Sequence, residues 1–136
     1  NHVELWLRFC DALGLDRDTV RTGTPTRATA SLIETYQKLT SEGPLVAGTS
    51  ALYAYESQVP HVADAKIKGL DQFYGMNDDR DVSFFQVHKT LDIEHAVAES
   101  DMVRELAVGD DAEDIALEAV ELATDRLWGF LDGVYA

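Results

Sequence analysis

Apolar residues recur every three or four positions along nearly the whole chain, a period typical of amphipathic helices. Runs in which apolar and polar residues alternate, as in half-buried strands, are absent from the sequence. The pattern therefore predicts an all-α protein. The predicted helices cover the residues up to about 13, and then about 24–42, 45–58, 62–74, 81–108 and 111–134.

Glycine and proline mark the ends of these helices. The first helix is predicted to be under way at residue 1, without a capping residue, and to stop at Gly14. Residues 16–23 are predicted to form a loop or short turn, after which Thr24 caps the second helix. Pro60 must break or kink the chain because proline lacks the N–H that continues a helix. Gly75 is expected to cap the helix that follows.

Five or six long helices joined by short loops predict a helical bundle that forms a single domain over residues 1–136. The sequence does not begin with Met, so we expect that N-terminal residues are missing from it. Bundles hold metal and cofactor sites between facing helices. Polar side chains on apolar helix faces are therefore the candidates for chemistry.

The charge of the chain excludes some partners. It carries 25 acidic and 11 basic side chains, so its formal net charge is -14. Such a surface repels nucleic acids and anionic membranes, and neither is expected as a partner. No apolar run reaches the ~20 residues that a membrane-spanning helix needs. Cys10 is the only cysteine, which fits a small core residue in a cytoplasmic protein without disulfides.

One predicted helix carries the strongest chemical signal, His88-x-x-x-Asp92-x-x-His95. At about 100° per residue, Asp92 lies about 40° from His88, and His95 about 20° to its other side. The three side chains therefore share a face, which flanking apolar residues predict to be buried: Phe84, Leu91 and Met102. Buried imidazoles and a carboxylate need compensation, which iron, manganese or zinc supplies. A solvent-facing polar stripe without a metal is the alternative.

Further candidates lie outside this helix. Glu56 stands in an apolar and aromatic stretch, so it is either a metal ligand or a hydrogen-bonded helix carboxylate. His2 opens the first helix beside an apolar face and is a candidate ligand or an ordinary terminal histidine. Taken by itself, Lys66 is interpreted as an ordinary surface lysine. Tyr53 and Tyr55 are either core aromatics or neighbours of a metal site.

Two more polar residues are weaker candidates for a role in chemistry. Glu99 shares the angular stripe of His88, one turn past His95, and is either a partner of the site or exposed. His61 fits no ligand spacing and is predicted to lie on the surface.

Four stretches of the chain resemble a known family: 51–60 (ALYAYESQVP), 66–70 (KIKGL), 73–75 (FYG) and 84–96 with its His-Asp-His motif. The sequence is similar to the heme-oxygenase-like diiron oxidases and oxygenases, which are close to the PqqC and TenA proteins in fold. Within this family it most resembles the group of the chlamydial death-domain-associating protein, whose members make p-aminobenzoate for folate. The resemblance spans essentially the whole chain.

The resemblance implies a heme-oxygenase-like bundle with a dinuclear metal site, iron–iron or iron–manganese. It implies five ligands in this sequence: His2, Glu56, His88, Asp92 and His95. A further Glu ligand and a sacrificed tyrosine are expected before residue 1, in N-terminal helices that this sequence lacks. Lys66 matches the lysine that the group is thought to use as amino donor.

The implied activity is activation of dioxygen with a reductant, in a self-sacrificing synthesis of p-aminobenzoate. One alternative is an oxygenase that acts on a small external substrate such as a fatty acid, an amino acid or an amine. Another is a non-catalytic protein-interaction module, which would not need the His-Asp-His stripe. Related folds commonly form homodimers, and this chain is compatible with one.

Overall fold

A computed structural model provides the structure of the protein and describes residues 1–135. Within that range it contains helices and no strand, as the hydrophobic pattern predicts. The elements in chain order are α1 (His2–Ala12), α2 (Arg17–Thr22), α3 (Arg27–Ser41), α4 (Leu45–Glu56), α5 (Val59–Tyr74), α6 (Ser83–Leu106) and α7 (Asp110–Tyr135). None of the helices in the described range is long and apolar enough to cross a membrane.

Several predicted helix ends are confirmed. Gly75 ends α5 in the left-handed conformation, with φ of 62°, and Gly109 lies between α6 and α7 with φ of 96°. Pro60 lies in the first turn of α5, where its missing N–H is not needed. The chain therefore breaks between α4 and α5, and α5 itself is not kinked at this residue.

Three predictions about helix starts are wrong. Asn1 does cap α1, because its side chain accepts a hydrogen bond from the Val3 N–H at 3.1 Å. Residues 17–22 form a short helix where a loop or turn was predicted. Thr26 caps α3 in place of Thr24, because its side chain accepts a hydrogen bond from the Thr29 N–H at 3.2 Å.

The chain divides into two compact units, which we describe separately. The first contains residues 1–24 and 58–93, and the second contains residues 25–57 and the described residues from 94 onward. The boundary therefore falls inside α6, which continues through it as one helix. The single domain predicted from the sequence stays a prediction.

The first unit is held together by apolar packing between α1, α5 and the start of α6. Its buried cluster contains Ala63, Leu70, Val82 and Phe85, with Phe9 packed against it. The Phe9 and Phe85 rings meet edge to face, with 5.0 Å between their centroids. Such contacts add to the gain from burying apolar surface.

An ion network holds the short helix at 17–22 in place, together with its N-cap Asp16, which accepts from the Thr19 N–H. The Arg17 guanidinium donates to both carboxylate oxygens of Asp11, at 2.8 and 2.7 Å, and also to Glu4. Arg80 donates to Asp11 as well, at 2.9 Å. Arg17 above all, and Arg80 with it, lowers the pKa of Asp11 to about 2. These contacts fix α2 against α1, and the sequence pattern alone does not reveal them.

In the second unit α4 packs against both α3 and α7. The residues of α4 from 46 to 51 are all buried, and all but Val46 have small side chains. The buried stripe of α7 consists of alanines: Ala116, Ala119 and Ala123. Small residues on facing helices allow close approach, so a Cβ added at Gly48 would lie only 3.0 Å from the Leu39 carbonyl oxygen.

Two glycine-to-alanine changes in this unit should have opposite effects. Gly48→Ala should lower the free energy of unfolding by about 1–2 kcal/mol, because overpacking outweighs the gain in helix propensity. Gly129→Ala in α7 should raise it by up to about 1 kcal/mol, because no atom lies within 4 Å of the added Cβ. Urea unfolding of both variants measures the difference. A Gly48→Ala protein as stable as Gly129→Ala would contradict the close packing of α4.

Candidate metal centre

The uninterrupted helix α6 carries His88, Asp92 and His95 along one face, as their spacing predicts. The prediction that this face is buried with its apolar neighbours is only partly correct. Asp92 is 5% exposed, but the His95 side chain is 52% exposed, and Leu91 and Met102 are 46% and 45% exposed. After Phe85, the buried residues of this helix are two acids spaced seven residues apart, Asp92 and Glu99.

The buried acids change the interpretation of the stripe. Glu99, which the sequence left as either a partner of the site or exposed, is 7% exposed. Burying a carboxylate is costly unless it is paired or bound to a metal. A helix that buries acids and exposes leucine and methionine is therefore more consistent with a polar site than with an ordinary hydrophobic interface.

Glu56 and His95 are in direct contact. Glu56 is the last residue of α4, and its Oε2 lies 3.3 Å from Nδ1 of His95. Asp92 lies one turn before His95 on the same helix. One ligand atom from each of Glu56, Asp92 and His95 falls within 4.8 Å of the others. Two carboxylates and an imidazole form a donor set that suits iron, manganese or zinc, so these residues fit a metal ion.

The first unit brings His2 and His88 together. Their rings meet edge to face with 5.0 Å between centroids. The Nδ1–H of His88 donates to the Phe84 carbonyl, one turn earlier on α6, at 2.6 Å. Since Nδ1 carries the proton in this bond, the lone pair of Nε2 is available to bind a metal. Backbone hydrogen bonds of this kind fix the orientation of ligating histidines.

Lys66 lies exposed on α5 in the first unit, as the surface-lysine interpretation predicts, and lines an open apolar cavity of about 600 Å³. Within residues 1–135 its ammonium makes no hydrogen bond or ion pair. The other lysine of the same turn, Lys68, donates to Asp64 at 2.6 Å, and Lys89 from α6 donates to the same carboxylate at 2.5 Å. Lys68 and Lys89, in that order, lower the pKa of Asp64 to about 2.

The two tyrosine candidates lie in different surroundings within the second unit. Tyr53 lines a small groove of about 260 Å³ beside Ser57 and Arg104. Tyr55 is exposed on one side, and its ring packs edge to face on Tyr36, with 6.2 Å between centroids.

The sequence pattern does not connect Tyr36 with Tyr55. The Tyr36 hydroxyl donates to the Ala51 carbonyl at 3.4 Å. Burial raises the pKa of Tyr36 to about 12, and the nearby Tyr55 contributes a smaller part of this shift. No spacing rule signals this pair because its members lie on separate helices, α3 and α4.

Two predictions of residues without a catalytic role are confirmed. Cys10 is a buried core residue, and burial raises the pKa of its thiol, so it is not an activated nucleophile. His61 is exposed on α5.

Comparison with known proteins identifies relatives over nearly the whole chain. A family model described as iron-containing redox enzyme matches residues 1–126. The 4-aminobenzoate synthase of Nitrosomonas europaea is 40% identical over 135 residues, which are 99% of this chain and 55% of the relative. The 4-aminobenzoate synthase of Chlamydia trachomatis is 36% identical, over 97% of this chain and 56% of the relative.

A more distant relative is named for another activity. The pyrroloquinoline-quinone synthase of Ruegeria pomeroyi is 28% identical over 96% of this chain and 54% of its own length. The chain spans about half the length of the curated relatives it matches.

Metal binding should stabilise the folded chain through the acidic and imidazole donors. Under anaerobic conditions, ferrous iron or manganese should raise the melting temperature. A free concentration about 100-fold above Kd corresponds to about 2.7 kcal/mol. Glu56→Gln and His95→Ala should lose most of this shift. Glu94→Gln and His61→Ala are matched controls with exposed side chains and should keep it. Equal shifts in all four variants would show that the metal binds elsewhere.

Proposed function

Because the chain belongs to the family of iron-containing redox enzymes, we propose that it carries ligands of a dinuclear non-heme site that activates dioxygen. The proposed metals are iron–iron or iron–manganese, and a reductant is required. The proposed activity is synthesis of 4-aminobenzoate, in which the protein consumes its own side chains. The names of the relatives at 40% and 36% identity support this activity.

The observation that carries the proposal is the convergence of Glu56, Asp92 and His95, whose donor atoms lie within 4.8 Å of one another. A protein that served only as an interaction module would not need this set of carboxylate and imidazole donors. Nitrogen and oxygen donors in this mixture suit iron and manganese equally. The donor set therefore does not distinguish iron–iron from iron–manganese, and a measurement of metal content must do so.

The chain's own residues have distinct tasks in this proposal. Glu56 and Asp92 would contribute negative charge that offsets the charge of the cations. His95 and His88 would contribute neutral nitrogen ligands, and His2, in ring contact with His88, is the fifth ligand proposed. The Phe84 carbonyl holds the proton of His88 on Nδ1 and leaves Nε2 to bind. When bound, the metals supply the electrons that reduce dioxygen.

Lys66 is the proposed source of the amino nitrogen. Lys68 and Lys89 both form ion pairs with Asp64. Lys66 has no partner among the described residues and lines a cavity. Its amine is therefore the one within the first unit that is placed to react. The aromatic ring is proposed to come from a tyrosine of the whole protein.

A second candidate function is an oxygenase that acts on a small external substrate. The apolar cavity of about 600 Å³ beside Lys66 favours it, because drug-sized and smaller ligands occupy cavities of this size. The two candidates differ in the origin of the product's nitrogen, which isotopic labelling identifies.

The nitrogen donor can be tested in the natural full-length protein labelled with ¹⁵N-lysine and supplied with iron or iron plus manganese, a reductant and oxygen. The product should be 4-aminobenzoate that carries the label. Lys66→Ala should yield none while binding metal as before. Lys68→Ala is the matched control and should yield product, because Lys68 forms an ion pair with Asp64 and, unlike Lys66, does not line the cavity. Labelled product from Lys66→Ala would exclude this lysine as the donor.

A further inference from the structure

The candidate ligand His88 lies at one end of a row of aromatic rings. The Phe84 ring, one turn earlier on α6, packs on the His88 imidazole with 4.2 Å between centroids and 33° between the ring planes. The Trp6 indole of α1 meets the Phe84 ring edge to face, with 5.0 Å between centroids. All three side chains belong to the first unit. Ring contact is therefore continuous from the indole to the imidazole.

The other end of the row reaches the surface. Trp6 is 41% exposed, so a small molecule in solution can touch its indole. Indole and phenol are among the side-chain groups that lose one electron most readily. Tyr74, the exposed phenol of the first unit, makes no ring contact within residues 1–135, and the same is true of Trp128 in the second unit. Trp6 is therefore the oxidisable side chain that is joined by ring contacts to His88.

We propose that Trp6 carries electrons one at a time between a reductant in solution and the metal centre that His88 helps to bind. In each cycle the Trp6 indole gives one electron toward His88 through the Phe84 ring and releases its N–H proton to water. A small one-electron donor such as ascorbate returns the electron, and water returns the proton. The inference rests on the proposed function, which requires a reductant but does not say where its electrons enter.

A tryptophan with only a structural role would behave differently. The Trp6 indole also packs on Phe9 and Phe85, with 5.2 and 6.4 Å between centroids. Phenylalanine at position 6 would keep an apolar ring against these neighbours, but a phenyl ring loses an electron far less readily than indole. Trp6→Phe therefore separates packing from electron transfer.

The test follows the oxidised tryptophan itself in the full chain and needs no turnover. A photo-oxidised ruthenium complex in solution removes one electron from exposed tryptophan, and transient absorption measures the lifetime of the radical. The chain has two tryptophans, so Trp128→Phe leaves Trp6 and Trp6→Phe leaves Trp128. In Trp128→Phe, anaerobic loading with ferrous iron should shorten the lifetime several-fold, because an electron returns to Trp6 through Phe84 and His88. In Trp6→Phe, iron should leave the Trp128 lifetime unchanged.

A second pair of variants tests the route. In the Trp128→Phe background, Phe84→Leu removes the ring between Trp6 and His88 but keeps the backbone carbonyl that orients His88. It should restore the long lifetime in the presence of iron. Phe9→Leu is the matched control, because Phe9 also packs on Trp6 but lies outside the row that leads to His88. It should keep the lifetime short.

Iron binding is checked in every variant by the shift in melting temperature. A chain that binds no iron refutes the proposed function and this inference with it. A Trp128→Phe chain that binds iron, but whose Trp6 radical lasts as long as without iron, refutes this inference alone. Equal shortening in Trp6→Phe would also overturn it, because Trp128 lies outside the row.

Discussion

The contact between Glu56 and His95 is the interaction on which the candidate site depends. It joins the last residue of α4 to the middle of α6, with 3.3 Å between Oε2 and Nδ1. Asp92, one turn earlier and 5% exposed, adds a second carboxylate. The imidazole of His95 pairs with Glu56 in the folded chain. A cation bound by these three side chains would add attraction to both carboxylates.

Asp64 determines the surroundings of the proposed nitrogen donor. It forms ion pairs with Lys68 and Lys89 and so leaves the Lys66 amine without a competing partner within residues 1–135. The role proposed for Lys66 therefore depends on an acid that is not itself a candidate ligand.

The sequence predicts the helical fold and most helix ends because these depend on local chemistry. Gly75 and Gly109 adopt left-handed backbone, and Pro60 cannot continue a helix. The short helix α2 was missed although Asp16 offers a local N-cap, which accepts from the Thr19 N–H. The bonds from Arg17 to Asp11 and Glu4 that also hold it are tertiary, and no sequence pattern shows them.

The spacing of His88, Asp92 and His95 indicated a shared face, but not that Leu91 and Met102 would be exposed. Periodicity identifies which residues share a face, whereas burial depends on what packs against that face. The ligand roles of His2, Glu56, His88, Asp92 and His95 stay predictions. The most direct measurement is anomalous diffraction at the iron edge from crystals of the natural full-length protein grown anaerobically with ferrous iron. The account predicts iron within bonding distance of Glu56, Asp92 and His95. Well-ordered crystals with no iron beside these three side chains would contradict it.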